Sequence, residues 1–372
     1  MNKKFSPLSF LSSLGAGGIA IIPFAFFQYT YHTKPGLVTF NAIDHGSLNF
    51  AQLGLFYFFE TVMIIFTLIH FFLTFKNLKE LNYWSKTDEF KTFTQDPLSN
   101  AALMTPFLSL AMTMNVFIGP IRFFIPFFSK NFQGMMLPAL IALIILASVA
   151  LYWEIKLLKI SFVNSFDVSK INFGWLIQPF ALGMIAVTAS GIAAMSKTET
   201  YAHIGAFITF TMGSMALFLL AVKLNSIFKS HFAAKGLPAK QFMPSYLIVL
   251  PIVTILSIAG FRLTHYFHNF FHVDLHALGI IIIAGSFAFE TWYLLFGLAL
   301  LKNYLKDDFK LKEYYVSQWG LVCPFVAYGT LGTMMWRNFV PNLLLYVVII
   351  ISALTAITFF IILARKQIKY AK

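Results

Sequence analysis

The residues best placed to do chemistry stand in a very apolar chain. Residues 317–329 read SQWGLVCPFVAYG and hold Cys323, the single cysteine of 372 residues, directly before Pro324. One cysteine excludes a disulfide framework and a thiolate-held metal cluster. Such a thiol packs as a small hydrophobe, lines a constriction, or reacts. Reactivity requires a depressed pKa, and apolar burial works against it. Glu60 and Glu290 each fall near the middle of a long apolar run. Carboxylates in such runs are costly and mark functional positions. They are either proton-linked groups for transport or protonated hydrogen-bond partners between helices. Arg122, Arg262 and Arg337 fall toward one side of the apolar runs. They either form an electropositive vestibule for anions or snorkel to headgroups. The stretch HYFHNFFHVDLH carries His265, His268, His272 and His276 at helical spacing, with Asp274. Imidazoles so spaced can bind zinc or copper, which makes His268 and His272 weak metal candidates. The blander expectation is an interfacial aromatic–histidine belt with no metal and no cofactor. No Walker-type loop, HExxH or dinucleotide fingerprint occurs, and no large soluble domain is present, so the chain is not expected to be an enzyme.

The elements that must position these residues are membrane helices. The chain is 59% hydrophobic and 11% charged, with a mean hydropathy of +0.76. Apolar stretches of about 20 residues, each enough to cross a hydrocarbon core of roughly 30 Å, recur from end to end. They fall at 8–29, 49–74, 102–127, 135–158, 174–195, 202–226, 245–263, 276–301, 315–335 and 341–363. The fold class is therefore an all-α polytopic membrane protein, a single transmembrane domain over 1–372. Lys3 and Lys4 ahead of the first run resemble a signal peptide. Gly15, Gly17, Gly18 and Pro23 interrupt that run and no cleavage site follows, so it reads as a retained span.

Charge orients the spans. Alternate segments, beginning with the N-terminal tail, hold 21 of the 27 lysines and arginines, and the intervening segments hold 6. That asymmetry predicts an even number of spans with both termini in the cytoplasm, in the cell (inner) membrane. It also accounts for the net charge of +13 without a nucleic-acid partner.

Proline divides the spans into two classes. The odd-numbered spans carry it internally, at Pro23, Pro106, Pro120, Pro179, Pro251 and Pro324; the even-numbered ones carry only Pro138, in a first turn. A proline removes a helical hydrogen bond, and such breaks are tolerated where protein covers the backbone or a cavity hydrates it. The economical arrangement is five helical hairpins, each with a kinked inner and a straight outer helix, around a central pore.

The segments SFLSSLGAGGIAIIPF, DPLSNAALMTPFLSLAMTMN, GWLIQPFALGMIAVTASG, MPSYLIVLPIVTILSIAG and QWGLVCPFVAYGTLG resemble, in order and spacing, the odd helices of the tellurite-resistance/dicarboxylate transporter family. That family includes TehA, fungal malate transporters and plant slow anion channels. The resemblance implies ten helices in five tandem hairpins, a pore lined by the odd helices, a homotrimer, and passive or proton-linked movement of small inorganic anions or dicarboxylates. Asp96 stands where the family usually has histidine. In the family a phenylalanine before the ninth-helix proline plugs the pore, and here that position is Cys323. Either the pore is less occluded or another aromatic fills it, Phe180 after Pro179 or Phe325 after Pro324. A divergent TsoY-like branch is associated with cysteine or selenocysteine chemistry. It supplies the alternative reading, a membrane subunit or thiol/selenol redox protein using Cys323.

Overall fold

The structure is a computed structural model that describes residues 5–34, 36–234 and 236–370; Lys3 and Lys4 lie outside the described residues. In lipid every backbone amide must find its partner within the protein, which leaves helices as the solution for a chain of this composition. Among the described residues there are helices and no strands. The long helices are α1 (Pro7–Tyr31), α2 (Phe50–Trp84), α3 (Asn100–Phe124), α4 (Met136–Val163), α5 (Phe173–Met195), α6 (Glu199–Ala233), α7 (Lys240–Phe271), α8 (His276–Lys306), α9 (Cys323–Asn338) and α10 (Leu343–Tyr370). Nine of these are long and apolar enough to cross a membrane; α9, with 16 residues, is not by length alone. A 3-10 run over Val316–Leu321 leads into it.

Burial separates the helices as proline does. In α1, α3, α5 and α7, between 61% and 100% of the most apolar window is buried inside the protein; in the even helices the share is 22% to 39%. In α9 every residue from Cys323 to Met334 is buried. The five odd helices touch in a closed ring, α1 to α3 to α5 to α7 to α9 and back to α1, and each even helix packs on the odd helix before it. The even helices turn large apolar side chains outward, among them Phe72, Phe75, Phe207 and Phe218. With most of their length facing lipid, these helices gain little from an amphipathic stripe, and their sequences are apolar all round.

The prolines do not sit where a mid-helix kink would put them. Pro106, Pro179, Pro251 and Pro324 each fall in the first turn of an α-helical segment that follows a 3-10 run, over Asn100–Met104, Phe173–Leu176, Lys240–Ile248 and Val316–Leu321. The missing N–H is least costly there, and the 3-10 turn gives up the i→i−4 pattern before the ring would clash with it. Pro120 lies in a π-helical turn over Phe117–Ile121, and only Pro23 stands deep within an α-helical run. The carbonyl four residues before each proline loses its usual donor, and at two of them a side chain replaces it. Thr105 Oγ1 donates to Ala102 O at 2.8 Å, four residues before Pro106.

Other buried polar groups tie the ring together. His70 of α2 bonds Ser13 O at 2.7 Å and Thr113 Oγ1 at 2.9 Å, so both ring nitrogens are engaged. Ser109 meets Ser13 at 2.7 Å and Thr74 at 3.0 Å. Close backbone approach is confined to a few glycines. At Gly205 of α6 an added Cβ would lie 3.0 Å from Ala193 N and 3.1 Å from Ala189 O, both backbone atoms of α5. No rotamer change relieves that contact. Gly205→Ala is therefore expected to lower stability by about 1–3 kcal/mol, the usual cost of overpacking, read as a lower thermal unfolding midpoint in detergent. An unchanged midpoint would mean the two helices can separate freely.

Candidate pore site

The closed ring encloses two cavities. The first, about 450 Å³, lies toward the N-terminal ends of the odd helices and is lined in part by Ser6, Ser99, Asn172, Gln241, Ser245 and Ser317. The second, about 150 Å³, lies toward their C-terminal ends and takes its lining from all five odd helices. Phe180, Pro251 and Cys323 line both. These three residues form the septum between the chambers, and the α-helical segments beginning at Ile177, Val249 and Cys323 start at this level. Phe180 is 3% exposed and Cys323 7% exposed. Pro179 and Pro324, next to them in sequence, set the start of their helices and line neither chamber. Pro106 and Pro23 also stay outside both linings and act on helix geometry alone. Phe325 turns away: its ring stacks on Phe359 of α10 at 5.4 Å, and it lines neither chamber. Helical geometry explains the contrast, because successive residues point about 100° apart.

The chamber linings are almost free of formal charge. The larger chamber has hydroxyl, amide and phenol groups and no ionisable carboxylate or amine among its lining residues. The smaller one adds a single cation, Arg262, with Gln28, Tyr29, Asn115, Thr254 and Thr330. Arg262 donates to Val187 O at 2.8 Å. Arg337 donates to His32 O at 2.8 Å. Arg122 is apart from them. It is 4% exposed, bonds Ile118 O and Val38 O at 3.0 and 2.7 Å, and lies 5.5 Å from the centre of the Phe132 ring. It lines an apolar cleft between α3 and α4 and not the axial chamber. Of the three arginines that sequence position grouped together, only Arg262 lines the axial chamber.

The two carboxylates also differ. Glu60 pairs with His45 Nε2 at 2.8 Å, on the short turn His45–Ser47 ahead of α2. Since α2 runs on to Trp84, Glu60 lies in the third turn of the helix, close to a loop, and not at its middle as the apolar run alone suggested. Glu290 is fully buried and accepts a 2.5 Å hydrogen bond from Thr254 Oγ1, while its Oε2 has no partner. Thr254 lines the smaller chamber, so Glu290 stands one hydrogen bond behind the chamber wall.

The histidine stretch does not form the continuous face its spacing suggests. Helix α7 ends at Phe271, His272 takes a left-handed conformation with φ of 55°, and His276 opens the next helix. His268 is in the last turn, on the near side of that break. Among the described residues no group of three or more His, Cys, Asp or Glu is placed to hold a metal. Asp96 forms a local turn, accepting from Leu98 N at 3.1 Å and Ser99 Oγ at 2.5 Å. The buried Asn100 closes the loop on itself through Thr94 O at 3.3 Å, and the Trp175 indole, which reaches Pro97 O at 3.0 Å, fastens it to α5.

One buried group escaped sequence reading. Lys223 of α6, counted there only as topological charge, is 4% exposed and bonds α5, with Glu154 of α4 facing it. The available signal was a lysine and a glutamate inside two apolar runs, each about one turn from the end of its run and so easily read as interfacial.

A model of the voltage-dependent anion channel family matches residues 4–366. No curated protein matches the chain. The match covers nearly the whole sequence and includes every helix of the ring, and the motifs of the odd helices resemble the same group. The chain belongs to the voltage-dependent anion channel family, and it is an integral multi-pass membrane protein of that channel and transporter class.

Proposed function

We propose that the protein moves small anions along the axis of the odd-helix ring, with Phe180 and Cys323 forming the constriction. The observation that carries this reading is the pair of axial chambers divided by Phe180, Pro251 and Cys323. Helix starts at the septum direct backbone N–H dipoles toward the axis, and these favour an anion without the trapping strength of a fixed charge. Arg262, with Tyr29, Gln28 and Asn115, supplies a weak binding point, and weak binding is what lets an ion leave again. The absence of carboxylates from both linings disfavours cations. Inorganic anions or small dicarboxylates are the substrate class.

On this reading α9 and the 3-10 run before it cross together. Six residues at about 2.0 Å and sixteen at about 1.5 Å reach roughly 36 Å, enough for the hydrocarbon core. That makes ten spans. The lysine and arginine asymmetry then puts the larger chamber on the cytoplasmic side.

Opening must move the Phe180 ring from its buried site. Burial of such a side chain is worth about 1.5–3 kcal/mol, so removing the ring favours the open state by tenfold or more. Phe180→Ala is expected to raise anion flux in proteoliposomes by at least about that factor, and Cys323→Phe, which adds a ring to the same septum, to lower it below wild type. Unchanged flux in both variants would sink the gate assignment.

The Thr254–Glu290 contact favours a proton-linked mode over a purely passive one. Glu290 has an unpartnered oxygen behind the chamber wall, whereas Glu60 is paired with His45. An imposed pH gradient is expected to drive anion uptake in the wild type and in Glu60→Gln but not in Glu290→Gln. Uptake indifferent to the gradient in the wild type would leave Glu290 a structural clasp between α7 and α8.

A further inference from the structure

A buried polar cluster outside the chambers joins α4, α5 and α6 beside the septum. Lys223 Nζ of α6 bonds Gln178 Oε1 and lies 3.3 Å from Trp175 O and 4.8 Å from the centre of the Trp175 ring. Trp175 stands four residues before Pro179, so its carbonyl is the one that an amide N–H at position 179 would have met. Gln178 stands directly before that proline and two residues before Phe180. The lysine therefore grips α5 at its proline joint, from the side opposite the chambers, and does so within one turn of the constriction.

The cluster is incompletely satisfied. Gln178 is 1% exposed and Glu154 of α4 is fully buried; the Gln178 amide stands beside the Glu154 carboxylate without closing a bond of ordinary length. Yet Glu154 faces both Lys223 and Gln178. Buried polar atoms left without partners call for an explanation. Here a second arrangement of the same groups is close at hand, in which the ammonium turns from α5 to the carboxylate of Glu154. Such a transfer would free Trp175 O and Gln178, and with them the first turn of α5 that carries Phe180.

We propose that Lys223 is a positioning residue for the constriction: it holds α5 at the Pro179 joint so that Phe180 stays seated, and Glu154 competes with α5 for the same ammonium. The inference rests on the reading of Phe180 as the gate. It predicts opposite signs for the two partners. Removing the amine releases α5 and favours opening; removing the carboxylate leaves the ammonium with α5 and favours closure.

The test combines anion flux in proteoliposomes with the alkylation rate of Cys323, which as the only cysteine reports septum access without further engineering. Lys223→Met keeps most of the side-chain bulk and should raise flux and alkylation several-fold, with monodisperse elution in detergent. Gln178→Leu removes the acceptor from the other side of the same contact and should act in the same direction, which covers the case that Lys223→Met does not fold. Glu154→Gln should lower both readouts below wild type. In a Phe180→Ala background Lys223→Met should add nothing further, a result that general loosening of the fold would not produce. Wild-type flux and alkylation in both Lys223→Met and Gln178→Leu, alongside a raised flux in Phe180→Ala, would overturn the role of Lys223 while leaving the gate intact. Effects that multiply in the double variant would also overturn it, and so would a raised flux in Glu154→Gln. An unchanged flux in Phe180→Ala would remove the gate and this inference together.

Discussion

The constraint on which the structure depends is that a backbone in lipid must satisfy its own hydrogen bonds. Each proline in the inner ring violates it once, by withholding an N–H and stranding a carbonyl. The fold answers with a repeated device: a 3-10 run, a proline in the first α-helical turn, and where needed a side-chain donor on the freed carbonyl. Thr105 serves Ala102 and Lys223 serves Trp175. Because these joints lie on the odd helices and several at one level, the irregular backbone gathers around the axis. The outer helices, free of such breaks, shield it from lipid.

Electrostatic economy follows from the same layout. On the proposed reading, a chamber lined among the described residues by hydroxyls, amides and a single arginine holds an anion loosely, and conduction needs loose holding. The costly groups sit one layer out. Glu290 is separated from the smaller chamber by Thr254, and Lys223 bonds α5 at Gln178, which lines neither chamber. Charges at that distance shift the energy of the wall and its geometry without offering the ion a deep well. Arg122, bound to two carbonyls at the periphery, is outside this layer.

The exchange of an aromatic plug for a thiol is the main departure of this chain from the pattern its motifs resemble. Cys323 keeps the position, at the first residue of α9 and between the chambers, but fills little of it. Phe180, from α5 across the ring, lines the same septum with an aromatic ring. On the proposed reading, the burden of sealing passes from α9 to α5. That is why the contacts that hold α5 at Pro179 carry more weight in this chain than the identity of residue 323.

Much of the fold was legible in the sequence because lipid imposes few solutions. Apolar length located the helices, lysine and arginine asymmetry paired them, and the confinement of proline to odd spans separated inner from outer. The motifs singled out Cys323, Phe180 and Pro251, the three residues that line both chambers. Side-chain direction and partnership were not legible, since they depend on which helices become neighbours. Phe180 and Phe325 both follow a proline, yet the ring closure of five helices turns one to the axis and the other to Phe359. Glu60 and Glu290 look alike in their apolar runs, yet a loop histidine reaches one and a chamber threonine the other. Lys223 reads as topological charge until α4 and α5 are packed against it. The sequence by itself determined that inner helices must break and where, because hydrogen-bond satisfaction is a local demand. Only the tertiary structure decided what each break exposes and what holds it, because those are contacts between residues far apart in the chain.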